Sequence, residues 1–372
     1  MRKETRIRSL DALRGLAAMT VVNSHALDSL IDGHSLDEYT PLYLFRAAHE
    51  SVIFFFILSG YVLTTQIQQQ NSFDYKKFII QRLWRIYVPY FFVMLLTFLL
   101  FLFFHGNLAD GRPVWSEPLS FKIILNHLLL VTNFNTNSYN PVIWSLVHEL
   151  RISLLFPIIL FILPKDFKKL ILIALLISVL AAICIVNGLN PSLGYNNSYL
   201  YTLHYISLFI LGSIIFNNIE ILSVLYNRFS GKKKLALLII ALMLFNYSRM
   251  IFLIPHKFKL IKLSLFNEFV ADWFTAASAC FFIIIAIELK KEKSWLITRI
   301  PLFLGKISYS LYLLHLPIII VFFILFPTFN RPLLMLICVV TGVIVAYFTN
   351  KYIEKPAAII GMRRKAITNI IP

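Results

Sequence analysis

Apolar residues in this chain come in blocks separated by short polar segments, and each block approaches the roughly 20 residues a helix needs to cross a bilayer. Reading every block as a span places helices near residues 9–27, 50–68, 86–105, 143–163, 169–188, 198–217, 234–254, 268–288, 302–325 and 332–352. The stretch 121–134 is apolar but too interrupted to join that set. The pattern therefore predicts an all-α fold, a polytopic membrane bundle of about ten transmembrane helices. No internal repeat or low-complexity tract interrupts it, and no block of soluble-protein character leaves room for an appended catalytic domain.

Composition agrees with this reading: 59% of residues are hydrophobic and the mean hydropathy is +0.76. The net charge of +17 would suit a nucleic-acid partner, but its distribution points elsewhere. Lys and Arg gather in the segments flanking alternate spans, at Arg2, Lys3, Arg6 and Arg8, at Lys76, Lys77, Arg82 and Arg85, and at Lys232, Lys233 and Lys234. That asymmetry is the positive-inside signature, and it predicts both termini in the cytoplasm and no nucleic-acid partner. The opening "MRKETRIR" starts like a signal peptide, yet the apolar run behind it carries Asp11 and Arg14 and lacks a small-residue cleavage site, so it reads as a retained span. Cys184, Cys280 and Cys338 lie in apolar blocks without metal-like spacing and read as packing residues. The longest outside loop, 106–142, is rich in Gly, Pro, Asn and Ser and long enough to bind or cover something.

Ionisable groups inside spans are the informative exceptions, because each costs several kcal/mol on insertion, about 2.5–3.5 for Arg or Asp at a helix centre. In "SLDALRGLAAMTVVNSHA", Arg14 and His25 are eleven residues apart. They fall within about 20° of one face, separated by a rise of about 16 Å. Asp11 can pair with Arg14 from three residues back. In "NPVIWSLVHELRISLLFP", His148 and Glu149 fall in the outer half of a span, at the depth expected for His25, where a carboxylate can orient an imidazole for general-base work. Arg82 and Arg85 share a helix face in "QRLWRIYVP" and suit phosphate. In "GKISYSLYLLHLP", Ser308, Tyr312 and His315 form a polar stripe facing the bundle interior or a wet cavity. Ser59 and Gly60 in "FFFILSGYVLTT" allow close helix approach. The bland readings are a snorkelling Arg14, a packed His25, a polar packing network around His148, and arginines that merely obey the positive-inside rule. His34, His105, His127, His204 and His256 lack ligand-like spacing, and there is no zinc, nucleophile-elbow or phosphate-loop signature.

Taken together, "LDALRGLAAMTVVNSH", "FFILSGYVLT", "RLWRIYVP", "WSLVHE", "GKISYSLYLLHLP" and "YIEKPA", in this order across residues 9–357, resemble the acyltransferase-3 family of integral membrane acyltransferases. The resemblance implies a membrane acyltransferase domain over 1–357 followed by a short basic cytoplasmic tail, 358–372. It implies transfer of an acyl group, usually acetyl, from cytoplasmic acetyl-CoA to a hydroxyl of a surface polysaccharide or its lipid-linked precursor, in a bacterial inner membrane and without a metal. By motif position, His25 and Glu149 would be catalytic, and Arg14, Arg82 and Arg85 would bind the donor. Asp11, Ser59, Trp144, His148, Ser308, Tyr312 and His315 are possible pocket-lining residues. One departure stands out: His148 precedes Glu149 and "LRIS" follows, where many members carry another Glu or Gln and an aromatic residue, so His148 and Arg151 read as subgroup features. The expected mechanism has His25 take the acceptor proton, with Glu149 holding its imidazole; an acetyl-histidine intermediate is the chemical alternative. Competing readings are an acyltransferase for a small molecule or periplasmic glucan, a flippase for lipid-linked sugars, and an envelope scaffold. Paired repeats and broken helices, common in transporters, are not evident in the sequence.

Overall fold

A computed structural model of the chain describes residues 7–30, 46–70, 72–104, 106–107, 113–115, 117–257, 259, 264–289 and 295–363. Apolar blocks without water for their backbone groups close their hydrogen bonds within helices. The result is α1 (Arg8–Leu30), α2 (Ala48–Gln68), α3 (Tyr75–Phe103), α4 (Phe121–Leu129), α5 (Trp144–Ile162), α6 (Phe167–Val186), α7 (Tyr199–Asn217), α8 (Ile219–Arg228), α9 (Gly231–Tyr247), α10 (Met250–Lys257), α11 (Leu265–Leu289), α12 (Arg299–Leu325), α13 (Arg331–Thr349) and α14 (Lys355–Arg363). A two-residue ladder pairs Gly106 with Val114 and Asn107 with Pro113. Polar side chains start several helices by accepting a first-turn amide: Asp74 for α3, Ser120 for α4, Asp166 for α6, Ser198 for α7 and Ser230 for α9.

Among the described residues, eight helical segments are long and apolar enough to cross a membrane. They are α2, α3, α5, α6, α7, α11, α12 and α13 with its continuation. α1, with Asp11, Arg14, Asn23 and His25 in its 23 residues, and α9, with 17, occupy the two further positions where the sequence predicts spans. The chain is a polytopic helical membrane bundle. The helix α14 runs across the boundary drawn at residue 357 and seats Gly361 against Trp84 of α3. Tail residues 364–372 lie outside the described residues, as do His34 and His105.

Two glycine contacts build the centre. A Cβ on Gly15 of α1 would lie 2.2 Å from the Gly305 nitrogen of α12, and one on Gly60 of α2 would lie 2.1 Å from the Phe209 oxygen of α7. Side chains therefore cannot stand between these pairs, and the backbones meet as in small-residue membrane interfaces. α3, α6 and α13 lie outside this centre and turn Leu95, Leu99, Leu172, Leu176, Leu336 and Val340 outward.

α5 starts part-way through the bundle. Asn140, just before it, donates to the Leu313 carbonyl at the middle of α12 (3.0 Å), and Ser145 bonds the Tyr312 hydroxyl (2.7 Å). The non-helical segment leading into it is buried at Leu130, Phe134, Thr136, Tyr139 and Asn140. Irregular backbone at such depth must be satisfied by protein, and Arg151 supplies this. Its guanidinium donates to the carbonyls of Val131 (2.9 Å), Thr132 (2.6 Å) and Asn197 (3.0 Å).

Beside this segment, on the short helix α4, burial lowers the His127 pKa to about 4. The folded value lies below the ordinary 6.5, so between these pH values the unfolded chain binds more protons and stability falls as pH drops. His127→Gln is expected to flatten part of that fall, by at most about 3 kcal/mol. Unfolding in detergent at pH 7 and pH 4.5 measures it; equal slopes for both proteins would contradict it.

Candidate active site

The Gly15 contact sets the first part of the site. With α12 drawn against α1, Arg14 donates from Nε to Ser308 Oγ (3.0 Å) and from Nη2 to the Gly305 carbonyl (3.0 Å), and Asp11 lies 3.6 Å away. The second part comes from α3 and α5, which run in opposite directions. Arg82 is buried, donates to Ser153 Oγ (2.9 Å) and pairs with Glu149 (3.5 Å). Its Nε is buried with no hydrogen-bond partner. Arg85, one turn further along α3, is exposed. The third part is a π-helical turn, Asn350–Glu354, that joins α13 to α14. It delivers Glu354 to the bundle interior, where Ser310 donates to its carboxylate (2.6 Å). Such turns often mark functional positions.

These groups surround one cavity of about 120 Å³. Arg14, Arg82, Arg85, Glu149 and Glu354 give it charge, Ser59, Ser145, Ser308, Tyr309 and Tyr312 give it hydroxyls, and Val52, Phe55, Phe56, Leu58 and Val62 line it with apolar surface. Three arginines from two helices, distant in sequence, thus converge on one space with a partly apolar wall.

Of the residues singled out in the sequence, Arg14, Arg82, Arg85, Glu149, Ser59, Ser308 and Tyr312 line this cavity, while His25, His315, Asp11, Trp144 and His148 do not. His25 lies further along α1, its ring stacked on His315 of α12 with centroids 5.3 Å apart. His315 Nδ1 donates to the Leu311 carbonyl (3.2 Å), and its Nε2 is buried without a hydrogen-bond partner.

Two expectations are corrected. Glu149 pairs with Arg82 at the level of Ser153 instead of holding the His25 imidazole. A helix starting at the membrane surface would put Glu149 in its outer half; α5 starts instead beside the middle of α12, which carries its sixth residue further into the bundle. His148 is also committed elsewhere. Its Nε2 donates to the Asn196 carbonyl (2.7 Å), and Thr202 bonds its Nδ1 (2.9 Å), so with Arg151 it secures two loops. Sequence reasoning missed Tyr309 and Glu354. Both lay in quoted motifs, but Tyr309 is outside the i, i+4, i+7 stripe, and only the π turn directs Glu354 inward.

The Acyl_transf_3 family, described as an acyltransferase domain, matches residues 7–351. The chain is 29% identical over 196 residues to an uncharacterized protein of Haemophilus influenzae, covering 49% of this chain and 77% of that one. It is 27% identical over 206 residues to the peptidoglycan O-acetyltransferase OatA of Listeria monocytogenes, covering 51% of this chain and 31% of that one. No solved structure matches. The family match covers the cavity residues from Arg14 in α1 through Arg82, Glu149 and Tyr312, with Glu354 three residues beyond its end, and the chain belongs to the acyltransferase-3 family of membrane acyltransferases.

Proposed function

We propose that the chain moves an acetyl group from acetyl-CoA, in the cytoplasm, to a hydroxyl of a surface polysaccharide or its lipid-linked precursor beyond a bacterial inner membrane. The observation that carries this is the convergence of Arg14, Arg82 and Arg85 on one cavity with a partly apolar wall. Guanidinium groups bind phosphate through paired, charge-assisted hydrogen bonds. The polyanionic head of the donor stays at the arginine end beside exposed Arg85, and its slender thioester arm enters between the helices. The buried, unpartnered Arg82 Nε is a donor waiting for an acceptor.

The acceptor oxygen attacks the thioester carbonyl carbon, the carbon–sulfur bond breaks, and the acceptor proton passes through His25 to the CoA thiolate. General-base participation of this kind contributes about 10²–10⁴-fold. An acetyl group carried on His25 Nε2 or Nδ1 between two half-reactions gives the same products. The relative that is a peptidoglycan O-acetyltransferase supports acetyl as the group and a glycan as the acceptor.

The test uses the purified chain in sealed vesicles. Radiolabelled acetyl-CoA is supplied on one side only, with host surface glycan on the other. Label is expected on the glycan, and only when the arginine end faces the donor. Transport of glycan across the vesicle without acetylation would contradict the proposal and favour a flippase.

A further inference from the structure

A second polar cluster lies at the start of α2, about one turn before the cavity residue Val52 and ten residues, or about 15 Å of helix, before Ser59. Its centre is Asp272 of α11, which bonds two imidazoles: His49 Nε2 to Oδ1 (2.9 Å) and His204 Nε2 to Oδ2 (3.2 Å). Proton positions follow from the donors. The Trp273 indole can only donate, so Ser178 Oγ accepts from it (2.9 Å) and gives its own proton to His204 Nδ1 (2.8 Å). His204 Nε2–H then donates to Asp272. His204 is fully buried and fully used.

His49 is different. With Nε2 turned to Asp272, a neutral His49 ring presents Nδ1 as an acceptor, and the group facing it is the Tyr195 hydroxyl at 3.5 Å, at the outer limit of a hydrogen bond. Tyr195 is 41% exposed, on the loop between α6 and α7. The His49 ring also lies nearly parallel to Trp144 (5.9 Å), and Tyr195 meets Trp144 edge-on (5.3 Å). Next to His49, buried Glu50 pairs with Arg249 (3.5 Å), whose Nη2 has no hydrogen-bond partner. The cluster therefore offers one imidazole nitrogen held only by a 3.5 Å contact to Tyr195, and one guanidinium donor, Arg249 Nη2, without a partner, beside a partly exposed aromatic ring.

The cluster shares its end of the bundle with His25. Ser24 donates to the Arg46 carbonyl (3.1 Å), tying the residue before His25 to the chain three residues before His49.

We propose that this cluster is the acceptor subsite and that it holds a neutral sugar unit. A pyranose ring presents an apolar face to Tyr195 and hydroxyls to His49 Nδ1 and Arg249; Asp272 and Glu50 disfavour an anionic one. The assignment rests on the acyl-transfer reading above.

The experiment compares the full chain with its His49→Gln and Tyr195→Ala variants in a strain lacking the wild-type gene. Acetyl groups on released surface glycans are counted by mass spectrometry, and retention of radiolabelled acetyl-CoA is measured on the purified proteins. Both variants are expected to lose glycan acetylation tenfold or more while retaining acetyl-CoA within twofold of wild type. Tyr195 is an exposed loop side chain, so its variant keeps the fold if His49→Gln does not. Wild-type acetylation in Tyr195→Ala, or parallel loss of acetylation and acetyl-CoA retention in it, overturns the subsite. A wild-type chain that acetylates no glycan defeats the parent reading, and the subsite with it.

Discussion

Gly15→Val is expected to destroy the site by separating the helices that form it. The added Cβ alone would stand 2.2 Å from the Gly305 nitrogen and 2.5 Å from the Leu304 carbonyl carbon. Both are backbone atoms, so no rotamer change relieves the clash. Overpacking a core typically costs about 1–3 kcal/mol where side chains can shift, and this case exceeds that range. Once α12 moves away, Arg14 loses Ser308 Oγ and the Gly305 carbonyl together, and the cavity loses one wall. Gly231→Ala is the control, since nothing lies within 4 Å of a Cβ there. Thermal unfolding in detergent is expected to show a large loss for Gly15→Val and little change for Gly231→Ala. A wild-type melting profile for Gly15→Val would refute the close contact.

Arg82→Met is expected to weaken acetyl-CoA binding by about 10- to 150-fold. The figure follows from hydrogen bonds to charged groups, which contribute about 1.5–3 kcal/mol each. Arg82→Lys is expected to recover only part of this, because an ammonium cannot reproduce the planar fork that serves Ser153, Glu149 and a phosphate together. Glu149→Gln separates the two roles of the pair. It removes the carboxylate that competes for the guanidinium, so donor affinity is expected to hold or rise. Equilibrium binding of acetyl-CoA to the protein in lipid nanodiscs measures all three. Unchanged affinity in Arg82→Met would place the donor elsewhere.

How far the fold could be read from the sequence depended on the kind of signal. Span positions followed from apolar block length, since lipid removes every alternative to backbone bonds closed within a helix. The inward facing of Ser308 and Tyr312 was legible from helix periodicity; that they share one cavity with Arg14 came only from the packing of α12 on α1. Depth was not legible. It requires knowing where a helix starts, and the start of α5 is fixed by Asn140 on Leu313 and by a loop that Arg151 secures, contacts made across more than a hundred residues in one case. The pairing of Glu149 with Arg82 was missed for that reason. His49 and Asp272 escaped notice because neither forms a motif with its sequence neighbours; they lie 223 residues apart and meet only in the packed bundle. Glu354 depended on a local departure from α-helical geometry, which apolar periodicity does not report.

The proposed acetylation of surface glycan through His25 is tested most directly by complementation. A strain lacking the gene receives wild type or His25→Ala at matched membrane levels, and glycan-bound acetyl is measured by mass spectrometry. Acetylation is expected with wild type, and a loss of about 10²-fold or more with His25→Ala, the lower end of the range for a general base. Equal acetylation from the two proteins would contradict it.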